Sequence, residues 1–147
     1  MTGTKKVLVL AMLGVFMLMI LSGVAAAEEK IGVIDPQKVL FQHPRFEQVQ
    51  KQRRSVVEKK QQEAQTAIEK TEDNQEKQKI YETKRMEAAK EEQKLMEPIF
   101  KDIDLAIRTV AKAKGVTLVL DKGQVFFGGA DLTEDVIQEL KKKYASQ

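Results

Sequence analysis

Side chains that could carry acid–base, nucleophilic or metal chemistry are sparse in this 147-residue chain. Its one histidine, His43, precedes a proline, and there is no cysteine to pair with it. The adjacent acids Glu91 and Glu92 are typical of a solvated helix face, and Glu134 and Asp135 of a helix start. No serine-nucleophile motif, phosphate-binding glycine loop or His/carboxylate metal spacing is present. We therefore predict no catalytic, cofactor-binding or metal-binding residues, and we place His43 at a junction between helices.

The first 27 residues have the pattern of an export signal. Lys5 and Lys6 precede the apolar run VLVLAMLGVFMLMIL, which is followed by SGVAAA. A charged start, an apolar core of ~7–15 residues and a small-residue end are typical of a cleaved secretory signal. A single transmembrane anchor is the alternative, but the run is shorter than the ~20 residues of a membrane span. We predict export with cleavage near Ala27. The absence of cysteine excludes a lipoprotein anchor and disulfides.

The charge balance changes when this segment is removed. The full chain has 25 basic and 22 acidic residues, and loss of Lys5 and Lys6 leaves 23 basic residues against the same 22 acidic ones. A nucleic-acid partner requires a clustered basic face. The near-neutral mature chain therefore argues against binding to nucleic acid.

Short strands and helices are predicted near both ends of the mature chain. KIGVI (30–34) predicts a strand, and Asp35-Pro36 opens a short helix that ends before His43-Pro44. After Gly115, a helix C-terminal residue, VTLVLD (116–121) predicts a second strand. A turn at Lys122-Gly123 and a third strand at 124–127 complete a two-stranded ribbon, and a last helix starts near Asp131 or Thr133. We expect these elements to share one apolar body that supports an oligomer. Its residues are predicted to be buried either within one chain or between chains, and they are Ile31, Val33, Val116, Leu118, Leu120, Val125 and Phe127.

The long charged region between these ends predicts a helical hairpin. Its apolar residues fall on two helical stripes, separated by TEDNQ (71–75), where Asp-Asn offers turn chemistry. With the tip near residue 73, Lys60 lies opposite Glu87 and Arg53 lies within about a turn of Glu91. The charges that interrupt the two stripes are thus opposite in sign. This agreement favours the hairpin over a single continuous rod.

The second helix carries an additional apolar face that one partner helix would leave uncovered. Phe100, Ile103 and Ile107 of this face are predicted to lie in a compact core. Met86 and Met96 lie farther along the hairpin, where we expect nothing to bury them. Methionine is flexible and polarizable, which suits adaptable binding surfaces. We therefore predict that Met86, Met96 and nearby Tyr81 form a binding surface, with packing between or within chains as the alternative.

Two prolines coincide with the change from sparse to dense apolar composition. Pro98 lies in KLMEPIF, and the helix after it is apolar nearly all round. Pro44 lies at almost the same level of the predicted hairpin. We predict that Pro44 and Pro98 form a hinge between an arm (45–97) and a body (28–44 and 98–147).

The order of elements, and three segments in particular, resemble the Skp/OmpH family of periplasmic chaperones for outer-membrane proteins. The segments are KIGVIDPQKVLFQHP, AKAKGVTLVLDKGQVFF and DLTEDVIQEL. The resemblance implies an α+β fold, in which a long antiparallel helical hairpin stands on a small β body. It also implies a homotrimer whose three tentacle-like arms surround a cavity and hold unfolded outer-membrane β-barrel proteins without ATP or another cofactor.

Other partners and roles are weighed against this resemblance. An exported coiled-coil structural or adaptor protein of the cell envelope is the main alternative. Contact with a membrane surface or lipopolysaccharide is a third, which the near-neutral mature charge does not support.

Overall fold

The computed structural model describes residues 30–145, so the predicted signal segment lies outside the described residues. Three short strands and four helices make up the fold, together with one 3₁₀ turn at Lys122–Gln124. In chain order they are β1 (Ile31–Ile34), α1 (Pro36–Phe41), α2 (Phe46–Ile68), α3 (Asn74–Lys114), β2 (Leu118–Asp121), β3 (Ala130–Asp131) and α4 (Thr133–Ala145). The predicted α+β class is confirmed. Within residues 30–145, no helix is both long enough and apolar enough to cross a bilayer.

The strands form a parallel sheet in the order β2-β1-β3. Ile31 of β1 lies beside Leu118 of β2, and Gly32 lies beside Ala130 of β3. The predicted strands β1 and β2 are confirmed, but the predicted strand at 124–127 is wrong. The Asp121 side chain accepts a hydrogen bond from the Gly123 backbone N–H at 2.8 Å, which starts a 3₁₀ turn instead of a hairpin ribbon.

The chain then returns to the sheet through two glycines. Gly128 and Gly129 have φ angles of 90° and 86°, a region that favours glycine. They direct the chain back along β1, where the Leu132 backbone N–H donates to the Val33 carbonyl at 2.8 Å. The third strand is therefore parallel to β1 and begins three residues after the segment that we predicted.

Local capping agrees with the sequence at both short helices. The Asp35 side chain accepts from the Lys38 backbone N–H at 2.9 Å, and Pro36 occupies the first turn of α1. At the start of α4, the Asp131 side chain accepts from the Thr133 backbone N–H at 3.0 Å. The Thr133 hydroxyl in turn accepts from the Asp35 backbone N–H at 3.0 Å. The starts of α1 and α4 are thus tied together.

Helices α2 and α3 form an antiparallel hairpin rather than one rod. They are joined by residues 69–73, and the Asp73 side chain caps α3 by accepting from the Gln75 backbone N–H at 2.8 Å. The tip begins two residues before the predicted segment, and Asn74 already belongs to the helix. Gly115 ends α3 with a φ of 65°, as the sequence indicates.

Two apolar clusters hold the structure. The sheet cluster lies between β1 and the helices α1, α3 and α4. It consists of Ile34, Val39, Ala106, Val110, Leu132, Val136, Ile137 and Leu140. The joint cluster lies where the hairpin meets α1 and consists of Val49, Met96 and Ile99, with Leu40, Phe46 and Leu95 against it. Ile103 packs against both clusters. The side chains on one long helix, α3, thus connect the hairpin to the sheet.

Candidate functional site

Within residues 30–145, helices pack against one face of the β-sheet through the sheet cluster, and the other face contributes no residue to that cluster. Side chains alternate along a strand, and Gly32 and Ile34 face the helices, since a Cβ on Gly32 would lie 2.6 Å from Leu132 Cδ1. Ile31 and Val33 occupy the opposite face. Leu118 and Leu120 are their partners on β2. We call these four residues the apolar sheet face. Parallel sheets are normally covered on both sides, so this face is unusual.

The apolar sheet face is only partly covered within one chain. Val33 is buried because the loop that contains Gly129 lies against it. A Cβ placed on Gly129 would lie only 2.8 Å from Val33 Cγ1. Leu118 remains 48% exposed, and Ile31 is exposed beside it. Phe126 and Phe127, on the same loop, are fully exposed. This loop and the sheet face together present apolar side chains that residues 30–145 do not cover.

The predicted body residues therefore divide into two groups. Val33 is buried, and Val116, Leu120 and Val125 are partly buried. Ile31, Leu118 and Phe127 are exposed in the described part of the single chain, so for these three burial between chains stays a prediction. Val119, which the prediction omits, packs against the sheet cluster. Alternation along β2 could have identified it, because Val119 lies on the face opposite to Leu118 and Leu120.

The hairpin exposes two of the three predicted binding residues. Met86 is 66% exposed, and Tyr81 is exposed and lines a shallow groove of about 290 Å³ together with Val57 and Ala88. Lysine and arginine side chains surround this groove. An apolar floor with a charged rim can make adaptable contacts while it keeps the free surface soluble.

Met96 is not part of that surface, contrary to the prediction. It is 9% exposed and belongs to the joint cluster with Val49 and Ile99. The first turns of α2 lie beside Met96 and cover it. The predicted arm did not include this contact. The prediction for Phe100 is wrong in the opposite sense, because Phe100 is exposed and does not lie in the core. Ile103 and Ile107 pack against the core as predicted.

A layer of charges lies between α2 and α3 in the middle of the hairpin. The Lys60 ammonium is 3.0 Å from Glu87 and 3.2 Å from Glu91, and the Lys84 ammonium is 3.0 Å from Glu63. We call these five residues the charged layer. The predicted pairing of Lys60 with Glu87 is confirmed.

Arg53 lies within a turn of Glu91, as predicted, and its ion-pair partner is Glu92. The Arg53 guanidinium lies 2.6 Å from Glu92, next to Glu91 in sequence. It donates to the same carboxylate oxygen from Nε at 2.9 Å and from Nη2. The hairpin register is therefore specified by charge pairs as well as by apolar contacts.

The charged layer alters the ionisation of its own members. Hydrogen bonds to Glu87 and Glu91 raise the pKa of Lys60, and the hydrogen bond from Lys60 lowers the pKa of Glu87. The hydrogen bond from Lys84 likewise lowers the pKa of Glu63. Because the pKa values of both carboxyls fall on folding, their stabilisation is present above the ordinary value of 4.5 and is lost as pH falls through the lowered values.

Reversing a charge in this layer should destabilise the hairpin. In the Lys60→Glu variant, three carboxylates would surround a fourth, so we expect a lower melting temperature by circular dichroism. The double variant Lys60→Glu with Glu87→Lys restores one pair of opposite charges and should recover part of the loss, and 1 M salt (a Debye length of ~3 Å) should narrow the difference. Equal melting temperatures for the single variant and the unmodified protein would contradict a role in register.

His43 lies at the link between α1 and α2, as the sequence indicates. It is buried, and its Nδ1 accepts from the Arg45 backbone N–H at 3.1 Å. Asp102, Lys143 and Tyr144 are its charged and polar neighbours. Within residues 30–145, no group of three or more His, Asp or Glu side chains is arranged to hold a metal ion.

Comparison with known protein families gives a match over much of the chain. Residues 58–140, more than half of the chain, match the family model described as outer membrane protein (OmpH-like). The matched region runs from the middle of α2 into α4 and thus includes the charged layer and β2. A search of curated proteins finds no match.

Proposed function

Because the chain belongs to the OmpH-like family, we propose that it is an ATP-independent holdase for unfolded outer-membrane β-barrel proteins. The family is one of periplasmic chaperones for outer-membrane proteins and not a family of enzymes. The proposal concerns how this chain would hold a client and which of its surfaces would do so.

The observation that carries the proposal is the exposure of Tyr81 and Met86 on a highly charged helical hairpin. A holdase must bind many unfolded sequences and release them without an energy source. Flexible methionine and an aromatic side chain can repack against different partners, and each contact is weak. Mixed charges around them prevent association of the free hairpins. Several such sites in one assembly would act together through their effective concentration.

We further propose that three copies assemble through the apolar sheet face. Ile31 and Leu118 are exposed on it, and Phe126 and Phe127 are exposed on the loop that borders it. A parallel sheet with one open face, beside two exposed aromatic rings, has the composition of an interaction site. In a homotrimer the three hairpins would extend from a shared β body and surround the client.

The hinge assignment remains a prediction within this proposal. Pro44 lies two residues before α2, and Pro98 lies between Met96 and Ile99 of the joint cluster in sequence. α3 is continuous through Pro98 from Asn74 to Lys114. Proline removes one helical hydrogen bond, so the hairpin would change its angle to the body near this level.

The test is an aggregation assay with an unfolded outer-membrane barrel protein. Replacing Tyr81 and Met86 together by Gln should weaken protection, because it removes apolar contact without changing charge. If each site loses about 1.4 kcal/mol, client affinity should fall about tenfold. Light scattering across a titration of the chaperone measures the change. The matched control is Leu105→Gln, because Leu105 is apolar and exposed but lies outside the predicted arm (45–97). This variant should protect the client like the unmodified protein.

The range of partners separates the two functions considered. A holdase should protect several unrelated unfolded barrel proteins. Stoichiometric binding to one folded envelope protein, with no protection of unfolded ones, would instead identify an adaptor. Unchanged protection by the Tyr81/Met86 double variant would remove the assigned surface.

A further inference from the structure

His43 makes one hydrogen bond through a ring nitrogen and one contact through its ring. The side chain is 3% exposed and is the only histidine in the sequence. Nδ1 accepts from the backbone N–H of Arg45, the N-cap residue of α2, at 3.1 Å. The ring also contacts the Tyr144 ring edge-on, with 5.4 Å between centroids. His43 therefore joins the start of the hairpin to the last helix.

The second ring nitrogen, Nε2, faces the Asp102 carboxylate, which already accepts two hydrogen bonds. Since Nδ1 is an acceptor, the neutral ring carries its proton on Nε2. Nε2 lies 3.6 Å from Asp102 Oδ2, too far for a normal hydrogen bond, and no other described residue bonds to it. Asp102 instead accepts from the Lys143 ammonium at 2.5 Å and from the Tyr144 hydroxyl.

We infer that His43 is an acid-sensitive latch between the helical hairpin and the sheet-bearing part of the chain. Protonation of Nδ1 would remove the acceptor of the Arg45 N–H and place two donors against each other. It would also put a positive charge in a buried site that already contains Arg45 and Lys143. The start of α2 then loses its fixed contact with α3 and α4, and the hairpin moves more freely relative to the sheet.

The charges around His43 oppose each other, and the balance favours the neutral ring. Burial lowers the pKa of His43, and Arg45 and Lys143 lower it further, whereas Asp102 raises it. Burial disfavours ionisation of Asp102, but hydrogen bonds from Lys143 and Tyr144 lower its pKa overall. Burial and the hydrogen bond to Asp102 raise the pKa of the Tyr144 hydroxyl, so it stays protonated. Burial and the two nearby cations thus disfavour protonation of His43 in the folded chain.

The sign of the pH effect follows from the lowered pKa. The folded chain binds a proton at His43 less readily than the unfolded chain does, so stability rises with pH where the unfolded form is protonated. The contribution is complete above the ordinary pKa of 6.5 and is lost as pH falls from there toward the lowered folded value. Glu63 and Glu87 of the charged layer have pKa values lowered from 4.5, so they remain ionised in the pH range of the test below. This inference goes beyond the proposed function, because it concerns the single chain without a client.

The test is amide hydrogen exchange of the purified protein at about pH 7.5 and about pH 5.5, on either side of the ordinary histidine pKa of ~6.5. After correction for the intrinsic pH dependence of exchange, residues 43–49 should lose protection severalfold at the lower pH. The hairpin tip (69–73) should not change. His43→Asn is the matched variant, because an asparagine side chain can accept from the N–H two residues later but does not titrate. Its protection should be independent of pH.

Two results would overturn the latch. One is an equal response to pH in the unmodified protein and in His43→Asn, or no response in either. The other needs no variant: an NMR titration of the His43 ring that gives a pKa at or above 6.5 would mean that folding does not disfavour its protonation.

Discussion

Replacing Leu118 by Asp is expected to convert the proposed trimer into monomers that remain folded. Leu118 is 48% exposed in the single chain, so an aspartate at this edge of the apolar sheet face can reach water there. In the proposed trimer the same position is covered by a neighbouring copy. Burying an unpaired carboxylate costs several kcal/mol or more. A loss of this size at each interface exceeds the free energy of association that a small interface provides. Sedimentation velocity with circular dichroism measures mass and folding together.

The matched control is Leu105→Asp. Leu105 is 55% exposed on α3, so the two variants differ in location and not in chemistry or exposure. The control should keep the mass of the unmodified protein. A Leu118→Asp protein of unchanged mass would contradict assembly through the apolar sheet face. Aggregation of that variant with loss of helix would instead show that the face is needed for folding of the chain.

Replacing Ile99 by Ala is expected to cost about 2–5 kcal/mol in the free energy of unfolding. Ile99 is 1% exposed in the joint cluster, where it packs with Val49 and Met96. Removal of its methyl and methylene groups leaves a cavity between the two helices just where the hairpin meets α1. Small domains have only ~5–15 kcal/mol of total stability, so this one substitution removes a large share. Urea titration followed by circular dichroism gives the change.

Val57→Ala is the control for this loss. Val57 is exposed on the hairpin, and its truncation should change the unfolding free energy by about 0.5 kcal/mol or less. If Ile99→Ala costs no more than Val57→Ala, the joint cluster does not stabilise the connection between hairpin and sheet. The comparison does not depend on the proposed trimer, provided that both variants have the same mass in solution.

Much of this protein could be predicted from local signals. Asp35-Pro36 and Gly115 mark helix boundaries through the chemistry of single residues, and the structure has those boundaries. The hairpin register was predictable for a different reason. Lys60 and Arg53 interrupt one apolar stripe, acids interrupt the other, and an antiparallel alignment about the predicted tip brings these opposite charges together. Met86 was predicted to be exposed because helical periodicity places it on a face turned away from α2, and Tyr81 was added because it lies near Met86 in sequence.

The sequence by itself therefore determined the elements that depend on near neighbours and on repeat: the caps, the helical stripes, the charge-paired register and strands β1 and β2. Only the tertiary structure decided the rest. Strand β3 pairs with β1 from almost a hundred residues away in sequence, and Phe126 and Phe127 enter a loop because two glycines redirect the chain. Met96 is buried by the start of α2, and His43 meets Asp102 and Tyr144 from two other helices. These contacts join segments far apart in sequence, and periodicity within one segment carries no information about which distant segment will cover it.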